Sequence, residues 1–439
     1  MAAPGIVLAA PSSGSGKTLT TLGLLAALVR RGTAVASAKV GPDYIDPAFH
    51  AAATGRPCLN LDAWAMRPGM LAGLVGELSS SVELVVCEGV MGLFDGAAVA
   101  PGEPAGSTAD VAALTGWPVV LVVDARGMAA SAAAVVAGFA RFRPDVAVAG
   151  VVFNRVSGER HRRLIAEACA RACPEVAILG HLPPLAHLAV PSRHLGLVQA
   201  CEHPDLAAFL DLAGRTVAAH LDVDALLALA RPSPLAGPVA APLPPPAARV
   251  AIARDEAFAF AYPALMEGWH RAGAELTFFS PLAGDGPDDA AGAVYLPGGY
   301  PELHAGLLAG NGFLDRLRAA AGDGAVVFGE CGGYMVLGRS LTDAEGRVWP
   351  MAGLLPVDTS FRERKLHLGY RRAALGWDGP LGRAGQAFRG HEFHFATVTA
   401  EGDAPPLFTL ADAAGTPLPA AGRRVGKVMG SFVHLIDRE

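Results

Sequence analysis

Cys331 lies in the run Val-Val-Phe-Gly-Glu-Cys-Gly-Gly-Tyr (326–334), an apolar strand that breaks on glycines and presents one thiol. The frame Gly329-Glu330-Cys331-Gly332-Gly333 has the Gly-x-nucleophile-x-Gly shape of a nucleophile elbow, where small flanking residues permit a sharp turn and close backbone approach. A thiol is a good nucleophile only when a base or positive charge favours the thiolate, so a histidine must reach it. The run Gly426-Lys427-Val428-Met429-Gly430-Ser431-Phe432-Val433-His434 reads as a strand ending on His434. A nucleophile on one strand end and a base on another can meet above one sheet, so the pair Cys331 and His434 is expected to do acyl chemistry. The ordinary alternative is a buried small cysteine with a surface histidine, and the glycine frame argues against it.

A second site begins at Ile6-Val7-Leu8-Ala9-Ala10, a short apolar strand leading into Pro11-Ser12-Ser13-Gly14-Ser15-Gly16-Lys17-Thr18 and an apolar helical stretch from Leu19 to Val29. Strand, loop, Lys-Thr and helix in that order make a phosphate loop, with Pro11 where the pattern has its first glycine. Backbone N–H groups of Ser13, Gly14, Ser15 and Gly16 would cradle phosphates at the helix N-terminus, Lys17 would reach the terminal phosphates, and Thr18 would ligate magnesium.

Magnesium needs carboxylates as well. The buried-strand pattern Val82–Cys87 delivers Glu88 and, past a glycine-containing loop, Asp95; Ala36-Ser37-Ala38-Lys39-Val40 runs into Asp43 and Asp46. Open α/β sheets bind ligands at the carboxyl ends of their strands. Glu88 is therefore the expected metal ligand beside Thr18, and Asp43, Asp46 and Asp95 are expected to position metal or substrate. Each carboxylate could equally cap a helix or a turn. Asp124 and Asn154 fall at further strand ends, and Asn154 is expected to read a nucleobase edge or to close a turn.

Longer strings carry a family resemblance. Lys-Val-Gly-Pro-Asp-Tyr-Ile-Asp-Pro-Ala-Phe-His (39–50), Asn60-Leu61-Asp62-Ala63-Trp64, Glu88 to Gly96 and Ser192-Arg193-His194-Leu195-Gly196-Leu197 resemble the cobyrinic acid or hydrogenobyrinic acid a,c-diamide synthase family. So do Ala253 to Phe258, Leu296-Pro297-Gly298-Gly299-Tyr300-Pro301-Glu302, the Cys331 elbow and Arg389-Gly390-His391-Glu392-Phe393-His394. The resemblance spans essentially the whole chain. It implies an ATP- and glutamine-dependent amide synthase of corrinoid biosynthesis, whose N-terminal half is like dethiobiotin synthetase and whose C-terminal half is like class I glutamine amidotransferases. It also implies acyl phosphate activation of the a and c acetates, ammonia from glutamine, and an oxyanion held by the N–H groups of Gly332 and Gly299. Many class I amidotransferases place a carboxylate two residues after the histidine. Here that residue is Ile436, so a Cys–His dyad is expected.

These sites need parallel sheets to hold them. The 439 residues suffice for two or three domains, and short apolar strands alternate with helical stretches in both halves, as α/β folds require. Strands are expected near 5–10, 34–39, 82–87, 118–123, 149–153 and 176–180, then near 249–253, 275–279, 292–296, 325–329 and 426–434; 281–292 and 402–422 read as surface loops. The expected domains are a P-loop amide synthase domain at 1–230, an extended proline-rich linker at 231–247, and an amidotransferase domain at 248–439.

Composition sets the limits. Mean hydropathy is +0.36, yet no apolar run approaches membrane-spanning length. The strand and phosphate loop begin almost at Met1, leaving no secretory leader, so a cytoplasmic protein is expected. The net charge of −6 forms no basic stripe, which argues against nucleic acid. A polyanionic tetrapyrrole would need local cations, for which Arg193, His194, Arg254 and Lys365 are candidates. Six cysteines show no paired metal-type spacing and are expected to be free thiols. The assembly is open, with a homodimer allowed. The alanine-, glycine- and arginine-rich usage tilts the macrocycle towards the metal-free acid over cobalt-containing cobyrinic acid or nickel-sirohydrochlorin. A non-catalytic P-loop switch ATPase is the rival of a different class, and the Cys331 elbow speaks against it.

Overall fold

Runs such as Val119-Val120-Leu121-Val122-Val123 are buried along their whole length, the signature of strands covered on both faces. The computed structural model describes residues 2–184, 188, 192–193 and 196–439, with the backbone alone at 192–193 and 196–197. Seven of the eight described strands of the first sheet are parallel: β1 (Pro4–Ala9), β2 (Val35–Val40), β3 (Leu59–Leu61), β4 (Leu84–Glu88), β5 (Val119–Asp124), β6 (Val148–Asn154) and β7 (Ala177–His181). Their order is β3-β2-β4-β1-β5-β6-β7. The register sets Leu8 and Lys39 beside Glu88 from either side, and Asp124 beside Asn154. Parallel strands put all their carboxyl ends on one edge, so residues distant in sequence meet there. Helix α1 (Lys17–Arg30) starts directly after the loop from β1, and α2 (Ile45–Thr54) follows β2.

The chain divides into two units, Met1–Trp64, Pro68–Gly96 and Pro104–Val239 in one, and Ala65–Arg67, Ala97–Glu103 and Ala240–Glu439 in the other. Within the proline-rich stretch, Arg231–Pro232 pairs antiparallel with the start of β1. Proline is tolerated in such a short peripheral pairing.

The second unit centres on a six-stranded sheet in the order 275–279, 249–253, 293–296, 326–330, 428–431, 423–425. The first five strands are parallel and the last is antiparallel. Phe258, Phe313, Tyr334, Met335 and Leu337 belong to its core. A mixed four-stranded sheet and an antiparallel five-stranded sheet accompany it, the latter in the order 417–421, 408–411, 367–375, 387–394, 434–438. Two expectations need correction. Residues 426–434 are not one strand: Val428–Ser431 ends in the parallel sheet and His434 opens His434–Arg438 in the antiparallel one. Ser431 Oγ accepts the Val433 N–H at 3.1 Å, turning the chain between them. The stretch 402–422 is not all loop, because Phe408–Ala411 and Pro417–Ala421 pair within it. Its glycines and prolines masked an alternation only two buried residues long.

Among the described residues no helix is long and apolar enough to cross a membrane.

Candidate active site

The phosphate loop turns from β1 into α1 through Gly14 at φ 79° and Gly16 at φ 94°. A side chain at Gly16 would also lie 2.0 Å from Asn154 Nδ2, so both backbone and neighbour require glycine there. Ser15 Oγ donates to Ser12 O at 2.9 Å, closing the loop on itself, while Ser13 is exposed. Lys17 Nζ donates to Met91 O at 3.2 Å, across the loop that follows β4.

Beneath the loop a charged cluster forms. Thr18 Oγ1 donates to Glu88 Oε1 at 2.6 Å and lies 3.4 Å from Asp46 Oδ2. Lys39, which sequence reasoning passed over, is its hub: Nζ is 2.5 Å from Asp46, 3.0 Å from Glu88 and 3.8 Å from Asp43. His50 Nε2 meets the other Glu88 oxygen at 2.7 Å and His50 Nδ1 lies 3.5 Å from Cys58 Sγ. Burial works against charge on Lys39, but the three carboxylates outweigh it and hold the ammonium well above its ordinary range. Burial likewise opposes the Glu88 carboxylate and is overcome by Lys39 and His50, which lower it. Asp46 goes the other way, raised to about 6 by burial and the neighbouring Asp43. A lysine inside a strand buried at every position was the signal available in the sequence. Removing it strands carboxylates without their cation, which costs about 3–5 kcal/mol in buried pairs. Lys39→Met should therefore lower the urea midpoint of the first unit; an unchanged midpoint would mean that the cluster is not held by this lysine.

Other candidates fall elsewhere. Asp43 Oδ1 accepts the N–H groups of Ile45 and Asp46, capping α2, while its second oxygen faces Lys39. Asp95 stands apart from the cluster in the hydrogen-bond pattern: its carboxylate accepts the Gly92 N–H at 3.0 Å and closes its own turn. Asn154, expected to read a base edge or to close a turn, contacts the phosphate loop itself. Nδ2 donates to Ser15 O at 2.9 Å and Oδ1 accepts the Arg155 N–H, so the buried amide braces the phosphate loop. Arg193 falls in a two-residue strand paired with Gly196–Leu197, its side chain outside the description, and His194 lies outside the described residues. Arg254 lies over the Phe278 ring, 5.1 Å from its centroid. Lys365 contributes a backbone N–H to Phe395 O.

In the second unit Cys331 has φ 47° and ψ −103°, a conformation costing non-glycine residues about 1–3 kcal/mol and concentrated at functional sites. The strand Val326–Glu330 and the helix Gly332–Leu337 force it there. A Cβ at Gly333 would lie 2.0 Å from Leu296 O, so the helix can approach the sheet only over glycine. Gly298 lets Cys331 and His434 come together: a Cβ on it would sit 2.4 Å from His434 Cε1, 3.2 Å from Nε2 and 3.4 Å from Cys331 Cβ. A Cβ on Gly332 would be 3.0 Å from Gly299 N, which places the two candidate oxyanion donors side by side. His434 stacks on His391, ring centroids 4.9 Å apart, and Tyr262 Oη lies 2.9 Å from His391 Nε2.

Burial pushes the Cys331 thiol up, with Glu302 adding to it, and burial pushes His434 well down. Both shifts favour a neutral thiol beside a neutral imidazole. Such a pair attacks an acyl carbon only as the imidazole takes the proton. None of the six cysteines is in a disulfide.

Comparison with known proteins covers both units. Residues 6–198 match the CobQ/CobB/MinD/ParA nucleotide binding domain and residues 249–439 the CobB/CobQ-like glutamine amidotransferase domain. The hydrogenobyrinate a,c-diamide synthase of Rhizobium meliloti (strain 1021) is 52% identical over 438 residues, 99% of this chain and 99% of that one. The enzyme of the same name from Brucella suis biovar 1 is 52% identical over 444 residues, covering 99% and 98%, and that from Mesorhizobium japonicum is 50% identical over 440, covering 100% and 99%. With about half of all positions shared along both units rather than one, the chain belongs to the hydrogenobyrinate a,c-diamide synthase family.

Proposed function

We propose that the protein converts the a and c acetate carboxylates of hydrogenobyrinic acid to acetamides in cobalamin biosynthesis, using ATP and glutamine. The observation that carries this reading is the meeting of Cys331 and His434 at Gly298, in a chain that also builds a phosphate loop over Glu88. The full-length likeness to enzymes bearing that name supports the substrate. The same reading keeps residues 1–230 as the ligase domain, 231–247 as a connector and 248–439 as the amidotransferase domain, in a cytoplasmic setting.

A carboxylate is a poor electrophile because its charge is delocalised and its oxygen leaves badly. Transfer of the γ-phosphoryl of ATP to it gives an acyl phosphate with a good leaving group. Lys17 and the N–H groups of 13–16 hold the phosphates during the transfer. The hydroxyl of Thr18 and the carboxylates of Glu88 and Asp46 converge as hard oxygen donors, the set magnesium takes when phosphates and water complete its shell. When bound there, magnesium neutralises phosphate charge. Lys39 balances the carboxylates of that cluster, Asp43 included, and Arg193 and His194 are the proposed cations for peripheral carboxylates of the macrocycle.

In the second unit His434 takes the Cys331 proton as sulfur attacks the glutamine side-chain amide. The N–H groups of Gly332 and Gly299 receive the oxyanion, and His434 returns the proton to departing ammonia. Water cleaves the thioester to glutamate. Ammonia displaces phosphate from the acyl phosphate and leaves the amide.

Incubation with hydrogenobyrinic acid, glutamine, ATP and magnesium should give two carboxyl-to-amide conversions by mass spectrometry, with ADP formed for each. Amide product without ADP would sink the scheme. Faster turnover of cobalt-containing cobyrinic acid would reassign the substrate.

A further inference from the structure

Glu330 precedes the nucleophile in the chain and is 1% exposed. Its Oε1 accepts the Leu435 N–H at 2.9 Å and its Oε2 accepts the Tyr295 hydroxyl at 2.6 Å. Among the described residues the basic group within 4.0 Å of this carboxylate is His434, whose Nδ1 lies at that distance from Oε2. A buried carboxyl with two neutral donors and no lysine or arginine beside it is an expensive arrangement for stability alone. It lies where positive charge arises during the reaction, on the imidazole that takes the Cys331 proton.

The acid on the histidine strand itself is committed elsewhere: the Asp437 carboxylate accepts from the Arg67 backbone N–H, Nε and Nη2 at 2.8–3.0 Å. Ile436 is buried and apolar. From these contacts we infer that Glu330 is the positioning carboxylate of the Cys331–His434 pair, fixing the histidine strand through the Leu435 N–H and facing the imidazole with negative charge. One residue thereby ties the strand that ends at the nucleophile to the strand that begins with the base. This inference rests on the glutaminase reading of Cys331 and His434.

The titratable groups around Glu330 are Tyr295 on the neighbouring parallel strand, Cys331 next to it, and His434 on the histidine strand. Behind His434 stands His391, with Tyr262 bonded to it, and Glu302 and Glu392 face Cys331. Burial raises Glu330 to about 7, against the Tyr295 and Leu435 hydrogen bonds that lower it. A raised acid contributes stability that is complete below the ordinary carboxylate range and is lost as pH rises through about 7. The ionised form is therefore kept at a cost to the fold.

Glu330→Gln keeps an acceptor for Leu435 N–H and removes the charge. The expected result is a fall in kcat for glutamine hydrolysis of about 100-fold with KM for glutamine unchanged. The melting midpoint should rise above that of the parent at about pH 8.5 and match it at about pH 5. Synthesis from added ammonium with ATP reports on folding and on the other site, and should persist. Wild-type kcat in Glu330→Gln, or equal losses of the glutamine- and ammonia-driven reactions, would overturn the role. Cys331→Ala separates the two levels: retained glutamine hydrolysis there removes the glutaminase reading itself, whereas its loss beside an unimpaired Glu330→Gln removes this inference alone.

Discussion

Cys331→Ala is expected to end glutamate release from glutamine, with a loss of roughly 10⁴-fold or more, the scale seen when a covalent nucleophile is deleted from a catalytic unit. The reason is specific to this site. Thiol and imidazole are buried together against Gly298, and the proposed oxyanion donors at 299 and 332 have nothing to stabilise until sulfur has added to the amide carbon. The residual rate is therefore that of unassisted attack by water. Amide synthesis from added ammonium at alkaline pH, where more of it is free ammonia, should survive, because phosphoryl transfer uses none of these groups. Glutamate release and amide formation, measured on the same preparation, check both halves. Failure of ammonia to rescue the variant would contradict the division of labour between the two sites.

Lys17→Ala is expected to stop amide formation from glutamine and from ammonia alike, with a loss of about 10²–10³-fold or more in ADP formation, the scale for removing one preorganised charge from a transition state. Lys17 starts α1 at the carboxyl edge of β1, half-buried, and burial together with the Lys39 charge lowers its ammonium below the ordinary lysine range. The binding of a polyphosphate reverses that penalty by bringing negative charge to it. The variant should keep its fold, since among the described residues the ammonium bonds a backbone oxygen, Met91 O. Circular dichroism and ADP release with ammonia would test this, and unchanged turnover would remove the phosphate loop from the mechanism.

The two sites were legible in the sequence to different depths. Phosphate loop, elbow and strand-end carboxylates are local motifs: a few adjacent residues dictate a turn, and the turn dictates which atoms face out. Parallel-strand patterning placed Glu88 and Asp46 on the right edge because strand polarity alone fixes which ends share an edge. Lys39 was missed because a lysine in an all-buried strand signals only once its partners are known, and they come from α2 and β4. The contact of Asn154 with the phosphate loop was not legible locally, because it depends on how closely β6 approaches Gly16.

The chemistry proposed for the chain, a thiol for acyl transfer and a loop for phosphate, was legible in its residues alone, since reactivity belongs to side chains and short-range geometry. Which groups serve those centres was decided only by the fold. His434 opens a strand of the antiparallel sheet rather than closing one of the parallel sheet, and Glu330 meets it across two sheets. Such pairings arise from burial and strand register acting over 100 residues or more of separation, and no local spacing records them.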